Sequence, residues 1–174
     1  MTPVRCCRMR SMILFTALLA SGGVPDGQAA SAPTSHSPFR PEIFFIGNSE
    51  GNGDLKVLFK ERIKIVVRSH GVVEPDGTLV LDQTIDKSGL KEKTRRWKLR
   101  EVAPGRYAGT LSDAVGSVTG TVENNDFHVS YRIKSGVSVD QHLLLQSDHT
   151  LSNHMTFRKL GLVVGRMDEL IHHD

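Results

Sequence analysis

Hydrophobic and polar residues alternate in short runs along most of this chain. In the run 127–134, Phe127, Val129, Tyr131 and Ile133 are separated by single polar residues. A period of two is typical of β-strands that bury one face. The same alternation recurs at 55–59, 63–67, 79–85, 95–99, 107–111, 116–122, 139–147, 152–160 and 162–171. The pattern therefore predicts about nine or ten short strands.

Tight turns separate these strands. Residues 74–77, 103–105 and 123–126 are rich in Pro, Gly, Asn and Asp, which are typical of β-turns. Only residues 168–172 suggest a helical turn. Strands joined by hairpins favour an antiparallel up-and-down meander, which closes into a barrel of about eight to ten strands because closure removes exposed edges. A β-sandwich, the main alternative, usually has longer crossover connections.

The stretch "DAVGSVTGTV", residues 113–122, is unusual for a strand because it places Gly116 and Gly120 on one face with Val118 and Val122. Glycine weakens the interior of a strand. Three uses remain open: leaving room for a ligand inside the barrel, receiving bulky aromatic neighbours in a packed core, or bending the strand at a barrel corner.

Candidate ligand-binding residues are the aromatic, small and polar side chains that the alternation turns inward. The set comprises Trp97, Tyr107, Gly109, Asp113, Gly116, Gly120 and Tyr131. The single tryptophan has an alternative use as a plug in the core, and buried tyrosine hydroxyls need hydrogen-bond partners.

The beginning of the chain resembles an export signal. Three arginines precede the apolar run "MILFTALLA", and small residues follow it. The run is too short to span a bilayer. We expect a signal peptide at 1–30, a flexible linker at 31–41 and the barrel domain at 42–174, with translation starting at Met1, Met9 or Met12. The expected location is the periplasm or another exported compartment, with no transmembrane segment in the mature chain.

Charge and cysteine content narrow the function further. The formal net charge is +3, but Arg5, Arg8 and Arg10 against Asp26 supply most of it. No clustered basic face is apparent, so no nucleic-acid partner is expected. Both cysteines, Cys6 and Cys7, lie in the predicted signal peptide, so the mature chain has no cysteine for catalysis or metal binding.

Catalytic and metal-binding motifs are not apparent. The eight histidines show no metal-ligand spacing, and no Gly-x-Ser-x-Gly or phosphate-loop motif occurs. The glycine-rich residues 47–53 are interpreted as a flexible entry into the first strand. We therefore predict no catalytic residue, no metal and no cofactor.

Four segments carry a resemblance to a known family. They are "PEIFFIGNSEGNG" (41–53), "RRWKL" (95–99), "YAGTLSDAVGSVTG" (107–120) and "FRKLGLVVG" (157–165). They resemble a bacterial family of exported, lipocalin-like (calycin-type) proteins classed as a domain of unknown function. The resemblance implies a lipocalin-like barrel, and family members are often lipoproteins encoded near lipid-modifying enzymes.

This chain departs from that family in two places. Gly22 stands where a lipoprotein signal has its cysteine, so a lipid anchor is not expected. Residues 146–151, "QSDHTL", keep Asp148 but lack the tryptophan that family members often have.

Three functions follow as hypotheses. The leading one is a non-enzymatic barrel that binds a lipid or another small apolar or amphiphilic molecule. The second is an enzyme acting on a hydrophobic substrate inside the barrel, with Asp113, Tyr107 and Tyr131 as candidate acid–base groups. The third is an accessory protein that binds another envelope component through an exposed apolar patch.

Overall fold

The computed structural model describes residues 39–174, which form one closed barrel of ten antiparallel strands. Each strand pairs with the next along the chain, and the last pairs with the first. The prediction of an up-and-down barrel is confirmed. In chain order the strands are β1 (Gly47–Val57), β2 (Arg62–Val73), β3 (Leu79–Lys87), β4 (Lys93–Ala103), β5 (Arg106–Leu111), β6 (Val118–Glu123), β7 (Asp126–Arg132), β8 (Ser138–Ser147), β9 (Thr150–Lys159) and β10 (Leu162–His173).

The two ends of the barrel differ. Because successive strands run in opposite directions, the β1–β2, β3–β4, β5–β6, β7–β8 and β9–β10 turns lie together at one end, called here the open end. The remaining turns lie at the other end, together with a short helix, α1 (Pro41–Phe44). We call this the plugged end.

Three phenylalanines plug the barrel. Phe39, Phe44 and Phe45 are buried, and the Phe44 ring lies 6.0 Å from the Phe39 ring and 5.0 Å from the Phe45 ring. The Phe39 amide donates a hydrogen bond to the Asn124 carbonyl. Phe39 is therefore packed against the barrel, although it lies within the predicted linker, residues 31–41.

A glycine lets the plug approach the barrel wall. A Cβ atom on Gly71 of β2 would lie 1.7 Å from the Phe45 carbonyl oxygen, a distance that no side chain tolerates. The absence of a side chain at residue 71 thus brings the backbone after α1 into contact with the wall.

Three details differ from the sequence-based expectations. Residues 47–53 are not a flexible entry but the first half of β1, paired with β10 on one side and β2 on the other. Residues 168–172 are strand, because β10 is hydrogen-bonded on both sides and alternates buried with exposed residues. Gly116 lies outside β6, which begins at Val118.

Within residues 39–174, no helix is long and apolar enough to cross a membrane. The predicted signal peptide lies outside the described residues.

Candidate functional site

The barrel interior contains a cavity of about 310 Å³ near the open end. Its size falls at the lower end of the range for small-molecule sites, roughly 300–1,000 Å³. Inward-facing residues from both halves of the barrel supply its apolar lining. These residues are Leu55, Val57, Ile65, Val67, Ile85, Ile133, Val137, Val139, Met155, Phe157, Val164 and Met167.

One wall of the cavity is polar. The inward positions of β3 and β4 bring Lys87, Lys93 and Arg95 to it, and Asp113 and Tyr131 complete the wall. The cavity is therefore amphiphilic, with one charged side and one hydrocarbon side.

Asp113 is only half satisfied on this wall. Its Oδ2 atom accepts a 2.5 Å ion pair from Lys93 Nζ, whereas its Oδ1 atom is buried with no hydrogen-bond partner among the described residues. A buried acceptor without a donor is costly, so Oδ1 offers a position for a donor group.

Burial shifts the pKa values of two groups on the wall. Desolvation lowers the pKa of Lys87, and the nearby Lys93 and Arg95 charges lower it further. Desolvation raises the pKa of the Tyr131 phenol and so favours its neutral form. The wall has three basic side chains against one carboxylate, an arrangement that favours an anionic group in the cavity.

Gln83 organises the inner end of the cavity. Its Oε1 atom accepts hydrogen bonds of 2.7 Å from Arg95 Nε and from Trp97 Nε1. The Arg95 guanidinium carbon lies 5.3 Å from the centre of the Trp97 ring, within cation–π range. Tyr131 meets Trp97 edge-on, with ring centres 5.2 Å apart. These four side chains form a rigid floor.

Beyond this floor the barrel is nearly filled. A space of about 40 Å³ remains there, bordered by Gln141, Asn153 and Glu169. Asn153 Nδ2 donates a 2.7 Å hydrogen bond to Glu169 Oε2, and Glu169 Oε1 has no partner among the described residues. Burial raises the pKa of Glu169, while the Asn153 hydrogen bond and the Arg95 charge oppose that shift.

Only part of the predicted ligand-binding set lies at the cavity. Asp113 and Tyr131 line it, and Trp97 contributes to the floor. Tyr107 lies at the plugged end, where its hydroxyl donates to Glu42 Oε2 at 2.9 Å. Burial and the Glu42 contact raise its pKa. Tyr107 therefore does not meet Asp113 and Tyr131 in a common acid–base site.

The three predicted glycines have other roles. Gly109 of β5 lies against β4, where an added Cβ would come within 1.8 Å of the Lys98 carbonyl oxygen. Gly120 faces Phe127, whose ring fills the space that a side chain would occupy. Gly116 is exposed in the β5–β6 loop with φ of +80°. None of the three lines the cavity.

Sequence reasoning missed Lys87, Arg95 and Glu169. Each of them is a charged residue at an inward position of an alternating run. Arg95, for example, lies two residues before Trp97 and therefore faces the same side of the strand. That signal is weak, because long charged side chains near strand ends usually extend into solvent.

Outside the barrel, histidines pair on the surface. His128 and His142 stack with ring centres 4.3 Å apart, and their neighbours include Asp126 and Asp140. Across residues 39–174, no group of three His, Cys, Asp or Glu side chains is arranged to hold a metal ion.

A depression of about 660 Å³ also lies on the outer face near Arg68, His70 and Arg96. Its lining is polar, and Arg96 is already paired with Asp82.

Several solved structures have a similar fold. The S-type phycobiliprotein lyase CPES from Guillardia theta has a TM-score of 0.61 at 6% identity, covering 74% of this chain and 88% of that one. Rv2717c from M. tuberculosis has a TM-score of 0.59 at 14% identity, covering 75% and 92%. These likenesses establish the fold alone.

A third structure, a protein of unknown function from the DUF3598 family of Nostoc punctiforme, has a TM-score of 0.55 at 11% identity. The match covers 83% of this chain and 53% of that one.

No curated protein sequence matches the chain. A family model does match, over residues 19–173, and its description is "Protein of unknown function (DUF3833)". On that match, which spans nearly the whole barrel, the chain belongs to the DUF3833 family.

Proposed function

We propose that this protein binds one small amphiphilic molecule with an anionic head group inside the barrel. The observation that carries the proposal is the cavity of about 310 Å³, which has a hydrocarbon wall on one side and a basic wall on the other. An acyl-type chain fits the apolar wall, and a carboxylate or phosphate group complements Lys87 and Arg95.

The charges of the wall favour an anion over a neutral head group. Lys93 is neutralised by Asp113, whereas Lys87 and Arg95 face the cavity without a carboxylate of their own in the cavity lining. Desolvation lowers the pKa of Lys87, and an anionic group placed beside it would shift that pKa back towards its ordinary value. The Tyr131 hydroxyl lines the same cavity and adds a polar contact for that head group.

The similarity to the phycobiliprotein lyase concerns the barrel fold alone. At 6% identity it does not identify the ligand. The lipid character of the ligand rests on the cavity lining.

The test is a binding titration with cis-parinaric acid, a fluorescent carboxylate with an unbranched chain, and with its methyl ester. We expect the acid to bind more tightly than the ester, and Lys87→Met to reduce that preference. Met155→Trp should abolish binding of both by filling the cavity, whereas His154→Trp, on the outer face of the same strand, should leave binding unchanged.

Two outcomes would reject the proposal. One is the absence of probe binding to the folded wild-type protein. The other is equal binding by Met155→Trp and wild type, because the probe would then occupy another surface. Mass spectrometry of protein purified from its host under native conditions would identify any molecule that co-purifies.

We also propose that the protein is exported without a lipid anchor. The basic residues and apolar run at the beginning of the chain and Gly22 support this location. N-terminal sequencing of protein recovered from the host envelope tests it, and an unprocessed Met1 in the cytoplasm would overturn it.

A further inference from the structure

We propose that the open end of the barrel docks onto the surface of an anionic lipid bilayer. The exposed apolar side chains at that end do not line the cavity, whereas Lys87, Lys93 and Asp113 of the same turns do. The docking therefore does not require the ligand proposed above. It would place the mouth of the cavity against the lipid.

Two of these turns expose large apolar side chains from a strained backbone. Phe59, in the β1–β2 turn, has φ of 63°, and Leu160, in the β9–β10 turn, has φ of 52°. Their exposed fractions are 96% and 95%. Positive φ is unfavourable for bulky residues, and glycine normally occupies such positions. Since neither side chain packs in the core, its contribution to folding does not explain its presence.

The two turns are neighbours. Strands β1 and β10 are paired, and the Leu58 amide donates a 2.9 Å hydrogen bond to the Val164 carbonyl beside the turns. Leu58 and Leu162 are also exposed, so four large apolar side chains lie on two adjacent turns. Leu90 and Val115 extend this apolar surface to the β3–β4 and β5–β6 turns.

Basic residues surround these apolar side chains. The five turns of the open end carry seven Lys or Arg and three Asp or Glu residues, counted over 58–62, 87–93, 112–117, 133–137 and 159–163. The four hairpin turns of the plugged end have the opposite balance, with six acidic residues and one basic residue over 73–79, 101–106, 123–126 and 147–150. The barrel therefore has one basic and one acidic end.

This combination fits an anionic bilayer. Exposed apolar side chains enter the boundary between head groups and acyl chains, while Lys and Arg interact with anionic head groups. The apolar residues lie at the tips of separate turns with basic residues between them, which matches a soft, negatively charged surface better than the continuous groove of a peptide site. The acidic end would be repelled, so the charges also orient the barrel.

The test is flotation of the protein, in the form that its host accumulates, with lipid vesicles. We expect it to float with vesicles of phosphatidylcholine mixed with phosphatidylglycerol but not with phosphatidylcholine alone, and to be released by high salt. The double variant Phe59→Gly/Leu160→Gly should bind the mixed vesicles at least about tenfold more weakly.

The melting temperature separates this proposal from a structural role for Phe59 and Leu160, because a structural role predicts that the double variant melts at a lower temperature. Glycine accepts positive φ, so the double variant should melt at the same temperature as wild type or higher. The matched control is Val102→Ser, which removes an exposed apolar side chain near the plugged end and should leave vesicle binding unchanged.

Any of three results would overturn the proposal. The first is a wild-type protein that does not float with the mixed vesicles, and the second is equal flotation by the glycine double variant. The third is a wild-type protein that forms a dimer and does not bind vesicles, together with a double variant that is monomeric. The occupant of this surface would then be a second copy of the chain.

Discussion

Gly51 and Glu169 share one space inside the barrel: a Cβ atom on Gly51 would lie 2.0 Å from Glu169 Oε1 and 2.6 Å from Glu169 Cδ. A Cβ atom on Gly53, two residues further along β1, would lie 2.7 Å from the Asp168 carbonyl oxygen and 3.0 Å from Glu169 Cβ. The two glycines thus let β10 direct a carboxyl group into a close-packed interior.

Gly51→Ala should therefore destabilise the protein by overpacking, by about 1–3 kcal/mol. The Glu169 side chain is buried, and moving it aside would strain its hydrogen bond from Asn153. The measurement is the free energy of unfolding in urea. Asn52→Ala, at the adjacent exposed position, serves as the control and should change it little.

A double-mutant cycle identifies the cause. If Gly51→Ala acts through Glu169, it should cost much less in a Glu169→Ala background, where its Cβ meets no carboxyl group. An equal cost in both backgrounds would attribute the effect to the backbone of β1.

The raised pKa of Glu169 predicts a pH-dependent penalty on folding. The folded state favours the protonated carboxyl, and its stabilisation of the fold is fully present below the ordinary glutamate pKa of 4.5. It is lost as the pH rises through the raised pKa of Glu169 in the folded protein. Glu169→Gln is neutral at every pH. Its free energy of unfolding relative to wild type should therefore be higher at about pH 8 than at about pH 4.

Urea unfolding of both proteins across that pH range measures the difference. A gap that does not change with pH would contradict the assigned direction. Asp148→Asn, at an exposed position of the β8–β9 turn, is the control for general charge effects.

Gln83 holds the floor of the cavity by accepting from Arg95 and Trp97. Gln83→Leu leaves the buried Trp97 Nε1 donor without its acceptor and should destabilise the protein by about 1–3 kcal/mol. Gln83→Glu keeps an acceptor at that position and should cost less. Because Trp97 is the single tryptophan, its fluorescence reports both unfolding and the polarity of the floor.

Probe binding adds a second readout for these variants. Gln83→Leu should weaken binding of cis-parinaric acid because Arg95 loses the contact that orients it. A normal affinity in a destabilised protein would show that the floor has no part in recognition.

The sequence predicts the barrel well for a simple physical reason. Hairpin-connected strands with one buried face leave an alternation of period two that is visible without any tertiary information, as residues 127–133 illustrate. The same rule identified Trp97 and Tyr131 as inward-facing. It missed the plug, because Phe39, Phe44 and Phe45 lie in a segment without alternation and are buried only by the closed barrel.

The cavity could not be predicted in the same way. Alternation shows which residues point inward but not which of them meet across the barrel, since that depends on register and closure. Residues 47–53 looked flexible because three of their four inward positions are glycines. The role of Gly51 and Gly53 appears only when β10 brings Glu169 against them. Lys87 and Arg95 likewise reach the cavity only because the register and closure of the barrel bring them there.

The glycines of residues 113–122 give the last prediction. An added Cβ on Gly120 would lie 2.4 Å from Phe127 Cε2, whereas one on Gly116 would meet nothing within 4 Å. Gly120→Ala should therefore cost about 1–3 kcal/mol through overpacking. Gly116→Asn should cost less, because asparagine tolerates positive φ. Urea unfolding compares the two variants, and Phe127→Leu should relieve part of the Gly120→Ala penalty. If Gly120→Ala proved neutral while binding of cis-parinaric acid fell, residue 120 would border ligand space that the Phe127 ring otherwise fills.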